Sequence, residues 1–480
     1  MFYARPVAAV PSGFDERKVI DVPEPTGLAF TPDGRMLVGS QPGQLYVVAN
    51  GSRSKALDLG PDVCSNSERG LLGVAVDPDF KDAGHKFVYL YYTYRKFDAC
   101  PQGNPSDPNN PVNRVSRFTM SGNTLNPGSE QVLVNNILSP NGNHNGGDLK
   151  FGKDKLLYIS VGDGGCDYAE ASRCQYENDA SRDRNVLLGK VLRIRRDGGI
   201  PTSNPYTGAN SGRCNQAGRT ASGNNCKETF ALGFRNPFRL AFDPDAAGTS
   251  FRINDVGGES WEEIDRAQAG ADYGWNLCEG RHDNPYRSGA VNCSGDTYTG
   301  PIHEYSHGSG CESITGGAFV PDGSWPTSYD RAYLFGDYVC NKIFKLTPLA
   351  GGGFKRELFA GGLGGGGPIS MDFGPYGTAG KALYYTTFAG GGQVRRIVHT
   401  AGNQAPVASA RTVQNYGPLT LSFDGSASRD PDGNTPLILQ CHLFEDCVIL
   451  YPSRREERWL RRTRATDKLR RTPSMVGPRS

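Results

Sequence analysis

Six copies of one pattern constrain this chain more than any other feature. An apolar residue, a turn rich in Pro, Asp and Gly, and then a strand-like apolar run recur as FTPDGRMLVGSQPGQLYVV from Phe30, VDPDFKDAGHKFVYLYYTY from Val76, FGKDKLLYISVGDGG from Phe151, FDPDAAGTSFRINDVGG from Phe242, FVPDGSWPTSYDRAYLFGDY from Phe319 and FGPYGTAGKALYYTTFAGG from Phe373. Each turn offers residues that tolerate tight backbone angles, and the run after it suits a strand with unlike faces. The copies start 46 to 91 residues apart, so one unit carries insertions of different length. Units of this size bury their faces only against neighbours, which predicts an all-β fold, a six-bladed β-propeller over roughly residues 15–400. An array of β-sandwiches is the alternative.

Composition agrees: 63 Gly and 32 Pro among 480 residues, with 37% apolar residues, belong to many short strands and tight turns. The net charge of +2 is a property of the end of the chain. The last 44 residues hold ten Lys and Arg against five Asp and Glu, and the other 436 hold 42 against 45. The main body therefore lacks the basic footprint of a nucleic-acid binder. No run of 18 apolar residues offers a membrane span.

Ten of the twelve cysteines precede residue 400, and none forms a CxxC metal or redox pattern. An even number in loop-like contexts favours disulfides in a secreted or periplasmic protein. Short separations suggest Cys166 with Cys174, Cys214 with Cys226 and Cys278 with Cys293; Cys64 with Cys100 and Cys311 with Cys340 would complete the set, although spacing leaves connectivity open. The opening MFYARPVAAVPSGFDERKV shows no basic segment followed by an apolar one, so no signal peptide is visible.

One of only seven histidines, His144, lies in the turn NGNHNGGDLKFG ahead of the third repeat. Loops at one end of a propeller surround its central channel, where ligands bind. An imidazole there can serve as a general base, and Asp163, at the end of the next strand in SVGDGG, is placed to orient its other ring nitrogen. A plain surface turn is the competing explanation.

Five ordered stretches, SERGLLGVAVDPDF, NHNGGDLKFGKDKLLYISVGDGG, LLGKVLRIRRDGGIPTSNPYTG, ETFALGFRNPFRLAFDPD and EEIDRAQAGADYGWNLCEG, resemble the soluble glucose and sorbosone dehydrogenase family over about residues 20–398. The resemblance implies a six-bladed quinoprotein propeller that uses pyrroloquinoline quinone (PQQ) and Ca2+ to oxidise a sugar or related alcohol, passing electrons to an external acceptor. It implies His144 as base and Asp163 as its carboxylate partner, and it assigns Arg235, Asn236 and the Glu68 position to cofactor binding. Gly257 and Gly258 would hold the cofactor's calcium through backbone carbonyls, while Glu262, Glu263 and Tyr273 lie where the family has a second, structural calcium.

The chain also departs from the pattern. Glu68 stands where sugar oxidisers of the family carry glutamine, followed by Arg69; Asn143 replaces an acid before the histidine; Pro368 and Ser370 stand where two arginines bind the quinone, and Lys342 is displaced from the cofactor lysine. SERGLLG, CESITGGAFV and YLFGDYVCNKIFKL are similar to the hedgehog-interacting-protein branch, some of whose members bind proteins or glycans at cell surfaces. A non-enzymatic binding propeller is therefore the alternative, and calcium-dependent sugar-lactone hydrolysis a third possibility. After the propeller, NQAPVASARTVQNYGPLTLSFDGSASRDPDG resembles the opening of a PKD-type immunoglobulin-like domain, so residues 404–436 are expected to form a partial appendage of that kind. Residues 437–480 are expected to be a divergent, disordered basic tail without a function.

Overall fold

The computed structural model describes residues 10–400, except 168–173, 288–290, 295–296, 364–365, 378–379 and 389, together with four short strands beyond residue 410. Six four-stranded antiparallel sheets account for residues 14–399. Their innermost strands are Pro25–Phe30, Leu71–Val76, Leu149–Phe151, Pro237–Phe242, Ile314–Phe319 and Met371–Tyr376. These touch in circular order, the sixth returning to the first, so the chain is a closed six-bladed propeller. Each of the six Pro/Asp/Gly turns proves to be the hairpin from an inner strand to the second strand of its blade. Closure is by backbone pairing: Phe14–Asp21, the first strand of the chain, is the outer strand of blade six, with Phe14 opposite His399 and Asp21 opposite Gln393.

The hydrophobic core is divided among the seams. Six buried clusters occur, each shared by two neighbouring blades, from blades one and two through to blades six and one. In the strand Leu157–Val161, Leu157, Ile159 and Val161 face blade two while Tyr158 faces blade four. Both faces of such a strand are buried, so the two-residue period distributes apolar side chains between two seams instead of separating core from solvent. No blade has a core of its own, which is why the repeat needs the ring.

Strand order also decides what reaches the channel mouth. In a four-stranded antiparallel blade, the loop between the second and third strands emerges at the same end as the link to the next blade's inner strand. Glu68, His144, Arg235 and Asn236 lie on such links, and Asp163, Gly257 and Gly258 on such loops. Residues scattered over 190 positions of sequence thus meet at one end.

Among the described residues five disulfides form: Cys166–Cys174, Cys214–Cys226 and Cys278–Cys293, which short separations suggested, and Cys64–Cys100 and Cys311–Cys340, which complete the set. Among the described residues no helix is long and apolar enough to cross a membrane. Residues 400–480 form a separate unit, in which Arg411–Asn415 pairs with Leu421–Asp424 and Ile438–Gln440 with Val448–Leu450. Apart from those strands, the expected partial PKD-like segment and the basic tail lie outside the described residues.

Candidate active site

The turn around His144 is held open by its backbone. His144 itself has φ of +50°, a left-handed conformation uncommon for a side-chain-bearing residue, and Gly147 follows at +100°. The strain is countered on both sides of the peptide: the His144 N–H donates to Glu68 Oε2 at 2.8 Å, and its carbonyl accepts from Gly164 N at 3.2 Å. A Cβ at Gly162 would overlap the His144 carbonyl, so only glycine lets the third blade's loop pass this close.

His144 Nδ1 meets Asp163 Oδ1 at 2.7 Å. Asp163 is 1% exposed, yet its oxygens are well supplied with donors: Gly165 N reaches Oδ1 and Trp275 Nε1 reaches Oδ2, each at 2.8 Å. Burial is the strongest single influence and pushes this carboxyl upward. His144, Arg235 and the Gly165 amide together outweigh it and hold Asp163 below the ordinary aspartate range. An anion on one side of the ring fixes Nδ1 as the protonated nitrogen. Nε2 has no protein partner among the described residues and His144 lines the cleft, so Nε2 is the atom available to take a proton.

Beside it, the Arg235 and Asn236 amides donate to Asp255 at 3.0 and 2.7 Å, and the Arg235 guanidinium lies 5.5 Å from the centre of the Trp275 ring. Asn236 Oδ1 accepts from Gly146 N at 3.0 Å, tying this link to the histidine turn. Gly258, Ser260 and Trp261 all donate backbone N–H to Glu279 Oε1, at 2.7, 2.9 and 2.9 Å, which folds the loop tightly enough that a Cβ at Gly257 would overlap the Trp261 carbonyl. Among the described residues no donor reaches the Gly257 or Gly258 carbonyls.

These groups line a cleft of about 490 Å³ at the channel mouth, walled further by Phe238, Ile369, Phe388 and Tyr338. Its volume falls in the range of small-molecule and cofactor pockets. Below it the channel is bridged: Arg239 of blade four reaches the Thr26 carbonyl of blade one at 3.4 Å, and Lys150 of blade three pairs with Asp372 of blade six at 2.7 Å. The donor set suits a polyanionic ring held with a hard cation. Two guanidiniums, Arg235 and Arg239, border the cleft, the second with a buried Nε that has no partner, and two backbone carbonyls are without donors.

The other sequence candidates fall differently. Glu68 lines the cleft, whereas its neighbour Arg69 is fully buried and turned away, bonding the carbonyls of Ser139 and Pro101 and Asn66 Oδ1; the two make no ion pair. Glu262, Glu263 and Tyr273 do not converge. Adjacent strand residues point to opposite faces, so Glu262 bonds His307 Nε2 and Ile314 N, each at 2.8 Å, while Glu263 accepts from Gly280 N at 2.6 Å beside Asp255 and Asp265. The Tyr273 hydroxyl donates to the Arg266 carbonyl at 2.5 Å. Lys342 is not at the cleft, and of the late segment Ile369 lines it, between Pro368 and Ser370.

Sequence reasoning missed Asp255, Trp275, Glu279 and Arg239. Asp255 was within reach, two residues before the glycine pair in NDVGG. Trp275 and Glu279 arrive on the long excursion between Arg266 and His303, and no local pattern announces where that excursion goes.

A profile of the glucose/sorbosone dehydrogenase family matches residues 22–352. The HIPL2 protein of Arabidopsis thaliana is 27% identical over 389 residues, covering 68% of this chain and 53% of that protein. Quinoprotein glucose dehydrogenase B of Acinetobacter calcoaceticus is 27% identical over 287 residues, covering 56% of this chain and 54% of that one. The chain spans about half the length of these curated relatives. Among solved structures, the PQQ-bound aldose sugar dehydrogenase of Streptomyces coelicolor matches with a TM-score of 0.58 at 23% identity, over 81% of this chain and 99% of that one, a likeness of fold.

Proposed function

The chain belongs to the glucose/sorbosone dehydrogenase family, and on that premise we propose that it is a quinoprotein sugar dehydrogenase in which His144 is the general base. One observation carries this reading: an imidazole clamped by a buried carboxylate at 2.7 Å, its other nitrogen unpartnered, in the same cleft as Arg235 and Asn236. Relatives named as quinoprotein glucose dehydrogenase and aldose sugar dehydrogenase support it.

Arg235 and Asn236 would hold PQQ, and the Gly257 and Gly258 carbonyls its Ca2+. When bound, that quinone supplies the carbon that accepts hydride. The chain does the rest. His144 Nε2 takes the proton of the substrate hydroxyl, Asp163 keeps Nδ1 protonated and stabilises the positive ring that results, and the low, hydrogen-bonded state of Asp163 leaves that proton on the imidazole. The apolar walls exclude water from the transfer. A sugar or related alcohol is the substrate, with an external electron acceptor to regenerate the quinone, and the five disulfides support a secreted or periplasmic location.

The chain reconstituted with PQQ and Ca2+ should reduce a redox dye with at least one member of an aldose and sugar-alcohol panel, and lose that activity on chelation. No dye reduction with any sugar, together with no quinone retained after dialysis, overturns the proposal. A propeller that binds a protein or glycan without oxidising it is then the favoured reading, supported by the neutral Pro368 and Ser370 on either side of the cleft residue Ile369 and by the likeness to HIPL2.

A further inference from the structure

The cleft contains a guanidinium that the reaction above leaves unused. Arg239 lies on the inner strand of blade four, 4% exposed, and borders the cleft from below. Its Nη1 donates to the adjoining Phe238 carbonyl at 2.9 Å and its Nη2 makes a long contact of 3.4 Å to the Thr26 carbonyl across the channel. Nε is buried with no partner. The cation also stacks against Phe238, 4.4 Å from the ring centre.

An arginine cannot discard its proton to escape burial, so a desolvated guanidinium without a contacting anion is a standing cost. The charges around it do not meet that cost. Asp148 is the carboxylate that acts on Arg239, but from beyond contact, because its oxygens accept the Leu149 and Leu240 amides at 3.0 and 2.8 Å. Asp372, further along the channel, is engaged by Lys150 at 2.7 Å. The cleft that Arg239 lines offers a direction from which a counter-charge can reach it.

We infer that Arg239 is a carboxylate anchor: its guanidinium binds an anionic oxygen of the molecule that fills the cleft, from below, while Arg235 grips from the side. Two sources carry that chemistry, a carboxylate of the quinone or the carboxylate of an acidic sugar. The inference rests on the cleft's being a ligand site, as proposed above, and extends it to a residue in an inner strand.

Three measurements on the full-length wild type, Arg239→Lys and Arg239→Gln test it. The first is PQQ affinity in the presence of Ca2+, by quenching of tryptophan fluorescence. The second is the shift of the melting temperature produced by D-galacturonate and by neutral D-galactose, and the third is the melting temperature without ligand. If the quinone supplies the carboxylate, Arg239→Gln weakens PQQ about 10- to 100-fold, with Lys intermediate, and leaves the response to galactose unchanged. If an acidic sugar supplies it, PQQ affinity is unchanged and the galacturonate shift disappears in Arg239→Gln. Either result supports the anchor, provided the unliganded Arg239→Gln protein melts at or above the wild-type temperature, as expected when an uncompensated buried charge is removed. Unchanged affinity for both probes, or a loss confined to the unliganded melting temperature, overturns it. Should wild type bind no quinone, the dehydrogenase reading fails while the galacturonate arm still decides the role of Arg239.

Discussion

Asp163 on blade three and Asp265 on blade four are both buried carboxylates, 1% and 0% exposed, and they behave in opposite ways. Asp163 is surrounded by donors and cations, namely His144, Gly165 N, Trp275 Nε1 and, at longer range, Arg235; despite burial it is held below the usual aspartate range. Among the described residues Asp265 has no hydrogen-bond partner on either oxygen. Burial first, and then Asp255 and Glu304, push it well above that range against the opposing pull of Arg281. Burial is common to both, so the sign of the shift comes from the neighbours. The first environment keeps an anion poised to support a base. The second favours the neutral acid, since ionising Asp265 would place its charge beside Glu263 and Asp255.

Substituting the first carboxylate tests the comparison most severely. Asp163→Asn keeps the size but removes the charge that fixes the His144 ring and stabilises it when protonated. Turnover in the dye-linked assay is expected to fall about 10²- to 10⁴-fold, with quinone retention close to wild type. Turnover within threefold of wild type would mean that the imidazole works without its partner.

The same substitution in the second region should do the reverse. Asp265 has a folded pKa above the unfolded value of ~3.9, so the folded state keeps a proton that the unfolded chain releases. Its contribution is most favourable below that unfolded value and declines as pH rises toward the folded one. Asp265→Asn removes the decline. Urea unfolding in the presence of chelator should show the variant more stable than wild type at pH 8, on the order of 1–3 kcal/mol, with the difference shrinking toward pH 4. A variant less stable at pH 8 would show that Asp265 has a counter-charge and that the two regions are alike.

The architecture was legible because it repeats: six turns give six hairpins, and alternating order carries the links bearing His144 and Arg235 to the same end as the loops bearing Asp163 and Gly257. Short cysteine spacing pointed to three of the pairs because each closes within one loop, whereas Cys64–Cys100 and Cys311–Cys340 each join the link entering a blade to a loop later in that blade, a pairing that spacing alone leaves open. What stayed hidden depends on direction and distance. Glu262 and Glu263 are neighbours in sequence but face opposite sides of one strand, so their adjacency does not bring the two carboxylates together. Arg239 interrupts an apolar inner strand, where a charged residue ordinarily signals solvent; only the ring of six strands reveals that it faces a cleft. Trp275 is 112 residues from the Asp163 it steadies.

Glu68 is a third carboxylate that sharpens the comparison, since it lines the cleft yet is exposed, and its oxygen accepts the His144 amide rather than the ring. Solvent screens its charge, so its influence on the reaction must be small compared with that of Asp163. Glu68→Gln retains an acceptor for the amide and so should preserve the left-handed turn, changing turnover of neutral sugars by no more than about twofold. Its charge should still be felt by an anionic substrate approaching the rim: KM for D-galacturonate is expected to fall about two- to fivefold while KM for D-galactose is unchanged. An equal change for both sugars would mean that Glu68 acts through the histidine turn and not through its field, and would move it from the rim of the cleft to the support of the base.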